Sequence, residues 1–255
     1  MLKCDFHIHA REDALDCCDY GARDVVEKAA ALKFDVLAFT FHGQVLDDPA
    51  VTALARERGI LLIPGCEVFV ERREVLCLNI TQAEVDRMHT FEDLRAWKRA
   101  KGEAGLVIAP HPLYPVPQCL RRKFFEQMDL WDAVEVCHMH IRGLNFNRRA
   151  ERVAKERGLP LVATSDAHQL FMFGANHTLV DAEKEMLPVF RAIRAGKVRH
   201  YSPPLSPWGA FKVLACMEVK DRLARIFTAQ GRAKQRARRE RIERASQPLE
   251  KKGRG

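Results

Sequence analysis

Histidines and carboxylates that can share a cation recur along this chain at comparable places. His7-Ile8-His9 closes one short apolar run, and His42 follows the next. Glu67 ends a third, His111 follows a later one, and Asp166-Ala167-His168 follows the run Leu161–Ser165. Alternate residues of an extended strand face the same side, so both histidines of an H-x-H pair, or Asp166 and His168, can grip one ion. A carboxylate such as Glu67 can bridge two ions. Imidazole and carboxylate without thiolate suit Zn, Mn, Fe or similar cations. Taken singly, each residue has a plainer reading. An H-x-H pair is weak evidence, a lone His42 or Glu67 can be a satisfied polar residue at a strand end, and His111-Pro112 can be a turn. Joint placement at five strand ends argues instead for one cluster of divalent metal ions, and so for a metal-dependent hydrolase. His89 and His200 lie away from these ends and read as surface residues.

Such residues converge only if the elements before them are parallel. Candidate strands are Leu2–Ile8, Asp35–Thr40, Leu61–Glu67, Glu74–Asn79, Leu106–Pro110, Ala133–Cys137, Leu161–Ser165 and His177–Val180. Helix-like segments lie between them at Arg23–Lys33, Pro49–Arg58, Phe91–Lys101, Asn147–Arg157 and Glu183–Ala195, several ending at a glycine (Gly59, Gly158, Gly196). Strand–helix alternation predicts an α/β fold with a parallel sheet and helices outside it. Strands as uniformly apolar as Leu161-Val162-Ala163 suit a sheet buried on both faces. In a parallel α/β barrel the C-terminal strand ends share one rim, which brings residues more than a hundred positions apart around one point.

The chain has 255 residues, 47% apolar and 30% charged, enough for one sizeable core. The barrel body is expected over residues 1–205, ending where Pro203, Pro204 and Pro207 interrupt regular structure. Residues 206–255 read as an amphipathic helix, with an apolar stripe at Phe211, Leu214, Met217, Leu223, Ile226 and Phe227, followed by an Arg-rich basic tail. Net charge is +8, but Val219–Gly255 holds 13 Lys and Arg against 4 Asp and Glu, so the body is near neutral. Arg-rich segments bind phosphate backbones without sequence preference, so the tail admits nucleic-acid contact; a solvated helix without a partner is the equally ordinary reading. Eight cysteines contain no C-x-x-C pair; Cys4, Cys66, Cys77 and Cys137 sit in strand-like runs and suit reduced buried thiols. No apolar run is long enough to span a bilayer and the N-terminus lacks a signal core, which points to no membrane partner and to the cytoplasm.

The motifs together resemble those of the polymerase and histidinol phosphatase (PHP) family of metal-dependent phosphoesterases, over roughly residues 2–182. Asp5-Phe6-His7-Ile8-His9 resembles the family's D-x-H-x-H opening, Thr40-Phe41-His42-Gly43 its T-D-H-G, and Gly65-Cys66-Glu67 its G-x-E. Pro110-His111-Pro112 resembles its x-H-P, and Ser165-Asp166-Ala167-His168 its closing S-D-x-H. The resemblance implies a distorted seven-stranded (β/α) barrel, here with a C-terminal basic helical extension, holding two or three divalent metal ions of Mn, Zn or Fe type. It implies that His7, His9, Glu67 and Asp166 hold one ion, Glu67 and His111 a second, and His42 and His168 a third. The third ion's further ligand is expected at Asp13, with Asp16 the second choice.

Three departures stand out. Phe41 occupies a position where the family often has Asp, removing a group that would orient a neighbouring ligand. Glu74 stands where many members carry a histidine ligand; it is either a ligand itself or a salt-bridged strand-end residue. His138 and His140 follow the sixth candidate strand where the family often has Asn; His138 reads as a catalytic proton donor, a substrate contact or simply a rim histidine. Arg142 and Arg199 are candidate substrate-binding phosphate clamps. The implied reaction is hydrolysis of a phosphate mono- or diester by activated water, with no covalent nucleophile. The substrate is then a small phosphorylated molecule, a nucleotide or a nucleic-acid end. Alternatives are a histidinol-phosphatase-like enzyme, a catalytically weak interaction module, and an amidohydrolase on a related barrel, which the lack of a strand-end lysine disfavours.

Overall fold

The computed structural model describes residues 1–215 and 229–244. The chain opens with β1 (Leu2–Ile8), α1 (Ala22–Ala31), β2 (Val36–Phe39), α2 (Pro49–Glu57) and β3 (Leu61–Leu62). A hairpin of β4 (Gly65–Val70) and β5 (Arg73–Leu78) follows, then α3 (Gln82–Val85), α4 (Phe91–Lys101) and β6 (Leu106–Ala109). Next come α5 (Arg122–Glu126), β7 (Ala133–Val136), α6 (Asn147–Glu156), β8 (Leu161–Ala163), β9 (His177–Val180), α7 (Met186–Arg194), β10 (Val198–Tyr201) and α8 (Pro207–Leu214). A C-terminal helix covers Ala229–Arg244. The expected apolar stripe keeps Phe211 within the described residues, with Leu214 on the last turn of α8; Met217, Leu223, Ile226 and Phe227 lie outside them.

The α/β class is as expected, but the hydrogen bonding differs from a single seven-stranded barrel. Among the described residues ten strands form two five-stranded sheets, ordered β10-β9-β1-β2-β3 and β4-β5-β6-β7-β8. The pairs β1/β2, β2/β3, β6/β7 and β7/β8 are parallel, whereas β4/β5, β5/β6, β1/β9 and β9/β10 are antiparallel. Leu61–Glu67, expected as one strand, is two strands in different sheets. Pro64, which has no N–H to give a ladder, stands at the break. The β4–β5 connection is only Glu71-Arg72, both at positive φ (46° and 67°), the backbone of a two-residue hairpin turn. That turn makes an antiparallel pair where helix alternation alone implies parallel strands.

The helices begin where local chemistry satisfies their free N–H groups. Asp48 accepts from Ala50 N and Val51 N ahead of Pro49, and Thr81/Glu84 and Thr90/Asp93 form reciprocal capping pairs. One apolar cluster fills the space between β1, β2 and helices α1 and α2, with Val25, Leu37, Phe39 and Phe41 at its centre. Another lies between the second sheet and α4 and α6, around Leu94, Trp97, Val107 and Trp131. The third joins Phe6, Val36, Ile108 and Val162 to Phe190 of α7. Along β1 the even positions Cys4, Phe6 and Ile8 enter these clusters, which leaves Asp5, His7 and His9 on the opposite face.

The two sheets meet at the rim that carries the motifs. Gly43 N donates to Glu67 O (2.8 Å), Glu67 N to Phe41 O (3.1 Å), Asp166 N to His7 O (2.9 Å) and His9 N to Ala167 O (3.2 Å). Gly65 allows this approach, because a Cβ there would lie 2.9 Å from Thr40 Cγ2 and 3.1 Å from the Phe39 carbonyl. The cysteines within the described residues are free, and Cys4, Cys66, Cys77 and Cys137 are buried. No helix among the described residues is long and apolar enough to cross a membrane.

Candidate metal centre

The end of β1, the turns after β2, β6 and β8, and the hairpin β4–β5, which carries Glu67 inside β4 rather than at a strand end as expected, deliver a compact, almost dry polar cluster. His7, His9, Asp13, Asp16, His42, Glu67 and Glu74 are each at most 4% exposed, and Asp166 is 7% exposed. His7 Nε2 lies 3.1 Å from His9 Nε2, 3.4 Å from Glu67 Oε2 and 3.4 Å from Asp166 Oδ1. His9 Nε2 is 3.5 Å from both carboxylate oxygens. Neighbouring ligand atoms on a shell of radius about 2.1 Å sit roughly 3.0–3.4 Å apart in octahedral or tetrahedral arrangement, close to the spacing the two histidine nitrogens show to each other and to each carboxylate oxygen. His7, His9 and Asp166 offer donor atoms close enough to share one divalent cation, with a Glu67 oxygen beside both histidines.

The remaining groups extend the cluster to either side. His111 Nε2 is 3.4 Å from Glu67 Oε1, the other oxygen of the same carboxylate, so Glu67 can serve two ions. His42 Nε2 lies 3.2 Å from Glu67 Oε2 and 3.8 Å from Glu74 Oε1, and these three residues form a further group of close donor atoms. His9, Asp16, His42 and His168 form another, with His168 Nε2 only 2.9 Å from Asp16 Oδ2. Asp13 is placed behind this group. Its Oδ2 accepts from His42 N (3.0 Å) and lies 3.0 Å from His9 Nδ1 and 2.9 Å from His42 Nδ1, the ring nitrogens turned away from Glu67. Asp13 thus aims two imidazoles; Asp16 Oδ2 faces the same two nitrogens from farther off, 3.4 Å from His42 Nδ1 and 3.7 Å from His9 Nδ1, and also reaches His168.

Strong mutual fields follow from this packing. Burial alone would push the carboxyls up, but the imidazoles outweigh it. His7 and His42 hold Glu67 well below the usual carboxylate range, His7 and His168 do so for Asp166, and His168 and His42 for Asp16. Reciprocally, burial opposes charge on the imidazoles, yet Asp166, Glu135 and Glu67 raise His7 well above its ordinary value. Asp16 and Asp166 likewise lift His168 to about 10. Asp5, first residue of the opening motif, lies below the cluster, where its Oδ1 accepts from His7 N (3.3 Å) and Ser165 N (3.1 Å); burial pushes it up to about 7. His111 and Asp166 both hold positive φ (25° and 43°), a backbone costly for side chains with a Cβ and kept where the surroundings impose it.

Glu135 is a site residue that the motifs did not reveal. From the middle of β7 its Oε1 faces His7 Nδ1 at 2.8 Å, its Oε2 accepts from His111 N at 2.6 Å, and the Thr164 hydroxyl also donates to it. The available signal was a lone carboxylate inside the apolar run Ala133-Val134-Glu135-Val136. Cys119 was also missed; its thiol lies 3.2 Å from His111 Nδ1. Phe41 is fully buried against Phe39, 5.7 Å between ring centres, and belongs to the apolar core rather than to the polar cluster.

The other candidates separate. His138 is 2% exposed, neither ring nitrogen has a hydrogen-bond partner among the described residues, and a ring nitrogen lies within 4.8 Å of an Asp166 oxygen. Burial lowers it to about 4. His140 turns away, with Nε2 3.2 Å from Ser202 O. Arg142 is exposed on the loop after β7. Arg199 is exposed on β10 at the level of Leu179, itself opposite Lys3 on β1. That register lies four residues before His7, some 13 Å or more away along the strand at about 3.3 Å per residue. The fold does not bring Arg199 to the cluster.

Comparison with known proteins agrees with this geometry. A family model described as PHP-associated matches residues 145–198, a segment that contains Asp166 and His168. The uncharacterized protein MJ1587 of Methanocaldococcus jannaschii is 26% identical over 165 residues, covering 61% of this chain and 93% of that protein. A two-domain protein of Bacteroides vulgatus that contains a PHP-like metal-dependent phosphoesterase superposes with a TM-score of 0.62 at 20% identity, over 80% of this chain and 65% of its own. The lesion-specific endonuclease PfuEndoQ of Pyrococcus furiosus gives 0.58 at 15% identity, over 81% and 59%. The chain thus spans about two thirds or less of either structural relative. The PHP-associated segment and the shared fold agree with the resemblance to the polymerase and histidinol phosphatase family that the five motifs carry.

Proposed function

We propose that the chain is a metal-dependent phosphoesterase that cleaves a phosphate mono- or diester with water. The observation that carries this reading is the buried His7–His9 pair with a Glu67 oxygen and an Asp166 oxygen each 3.4–3.5 Å from its Nε2 atoms, and His111 on the far oxygen of Glu67. His7, His9, Glu67 and Asp166 would hold one cation, Glu67 and His111 a second, and His42, His168 and Asp16 a third, with Glu74 beside His42. Bound there, divalent cations of Mn, Zn or Fe type supply the Lewis acidity that activates water and offsets charge on phosphoryl oxygens. The protein's part is to hold the donors rigidly: Glu135 fixes His7, and Asp13 fixes His9 and His42. His138, buried beside Asp166 with both ring nitrogens uncommitted, is the residue placed to contact the substrate or pass a proton to its leaving oxygen. Arg142, on the same loop as His138, remains a candidate phosphate contact, and a nucleotide or strand end is the favoured substrate.

The test is turnover of a phosphoester panel by protein loaded with Mn, Zn or Fe, alongside Asp166→Ala/His168→Ala. The panel spans an aryl phosphate, an aryl diester, histidinol phosphate, nucleotides and short single strands. Metal-dependent turnover lost in the double variant is the expected result. Stoichiometric metal without turnover of any phosphoester would reject the enzyme reading and favour an interaction module.

A further inference from the structure

Beside the metal rim lies a groove of about 580 Å³ walled by four arginines, Arg121, Arg122, Arg148 and Arg149, with Phe125 and Phe146 between them. Its position relative to the cluster is set by two loops. The loop after β6 starts at His111 and runs to Arg121, whose N–H donates to Pro112 O at 2.7 Å. The loop after β7 starts at Cys137-His138 and runs to Phe146. Tyr114 ties the two together, since its hydroxyl donates to Met139 O at 2.8 Å and its ring meets Phe146 edge-on at 5.5 Å. The groove therefore shares its walls with the loops that place His111 and His138.

Its charge is largely uncompensated. Among the described residues Arg122 pairs with Glu126, whereas Arg121, Arg148 and Arg149 have no carboxylate within ion-pair distance and are exposed to solvent. Arg149 instead lies over the Phe125 ring at 4.9 Å, and Phe146 is 41% exposed, which leaves part of its ring open to a ligand. Like charges gathered on one wall repel one another, and among the described residues only Arg122 of the four has a carboxylate partner. Guanidinium groups interleaved with accessible aromatic rings match one ligand chemistry: a chain of phosphodiesters whose unpaired bases can stack. A free phosphate uses the arginines but not the rings, and an acidic peptide has no flat bases for Phe146.

We infer that this groove binds a single-stranded segment of nucleic acid and leads its end to the metal centre. The inference rests on the phosphoesterase reading for what happens at that end, but binding in the groove can be measured without it. The probe is a fluorescent single-stranded oligonucleotide of about ten nucleotides, titrated by anisotropy with the full chain in EDTA to prevent cleavage. Arg121→Glu/Arg149→Glu is expected to weaken binding at least tenfold and to flatten the salt dependence by about 0.7 unit of slope for each arginine–phosphate pairing removed. Phe146→Ala is expected to weaken it about fivefold or more, with the slope unchanged. Metal-loaded hydrolysis of an aryl phosphate should stay at the wild-type rate in all variants, and their melting temperatures confirm folding. Wild-type affinity in both variants overturns the groove, whichever part of the chain then binds the strand. Equal affinity for poly-glutamate at the same salt overturns it too, as a surface for anions in general. Strand binding that needs the groove, without phosphoester turnover, would leave the groove standing and remove the hydrolase reading instead.

Discussion

Glu135→Gln tests how the centre is held rather than what it holds. The substitution keeps the side-chain shape and removes one buried charge. Glu135 now accepts from the ring of His7 through one oxygen (2.8 Å) and from the His111 main-chain N–H through the other (2.6 Å), with the Thr164 hydroxyl as a third partner. A glutamine can satisfy one of the first two but not both. If its amide oxygen stays on His7, a charge-assisted bond becomes a neutral one, a loss of about 1 kcal/mol, and its NH₂ faces the His111 N–H, leaving a buried donor unmade at about 1–3 kcal/mol. Part of this falls on folding and part on the geometry of His7 and His111 as ligands. Loss of such an outer partner typically costs 10–100-fold in metal affinity, equal to about 1.4–2.7 kcal/mol. The assay is competition of wild type and variant against a chelator of known affinity at pH 8, with metal content measured directly and melting curves run in EDTA. A variant that folds and binds each metal with wild-type affinity would refute the argument that Glu135 orients His7 and His111.

Further outcomes follow from the same geometry. Asp16→Ala should lower the metal stoichiometry by one equivalent, whereas Asp13→Asn should weaken affinity at unchanged stoichiometry; equal stoichiometry in both, by elemental analysis, would show that Asp16 is no ligand. Phe41→Asp, which installs the acid of the T-D-H-G motif that Thr40–Gly43 resembles, should cost about 3 kcal/mol or more, since it empties a fully buried aromatic site and leaves a charge there. An unchanged melting temperature would contradict that. Asp35 accepts from Lys3 N (2.9 Å) and pairs with Lys184 (2.8 Å); burial opposes its charge, but Lys184 and Lys3 prevail and its pKa is lowered. Because the folded value lies below the unfolded one, its stabilisation is complete above about pH 4 and fades as pH falls through the folded value. Asp35→Asn should therefore cost about 1 kcal/mol at pH 7, and the difference from wild type in urea unfolding should narrow below pH 4. A difference independent of pH would show that the pair contributes nothing.

Much of the centre was legible because its chemistry is carried by residue type at strand ends. His7 and His9, Glu67, His111, Asp166 and His168 each follow an apolar run. Where parallel strands buried on both faces stop, as at β6 and β8, the rim accommodates polar side chains, whereas Glu67 inside β4 is legible by type but not by position. The strand β1 and the helix Phe91–Lys101 were readable to the residue for a similar local reason: an apolar run bounded by polar residues, and a Thr90/Asp93 cap ahead of a glycine stop. What sequence alone left open depended on contacts between distant segments. The choice between Asp13 and Asp16 is three residues of irregular loop, and only its packing shows that both face His42 Nδ1 while Asp16 also reaches His168. Glu135 looked like a stray charge in an apolar strand until β7 was set opposite His7, 128 residues away. Arg199, judged near the site by its place in the chain, is carried to the other end of the sheet by the antiparallel run of β9 and β10. The split of Leu61–Glu67 into two sheets likewise follows from which partner each half finds. Residue type and spacing specify donors and strand ends, because those depend on the local period of the chain; partners, register and the far side of each imidazole are properties of the packed whole.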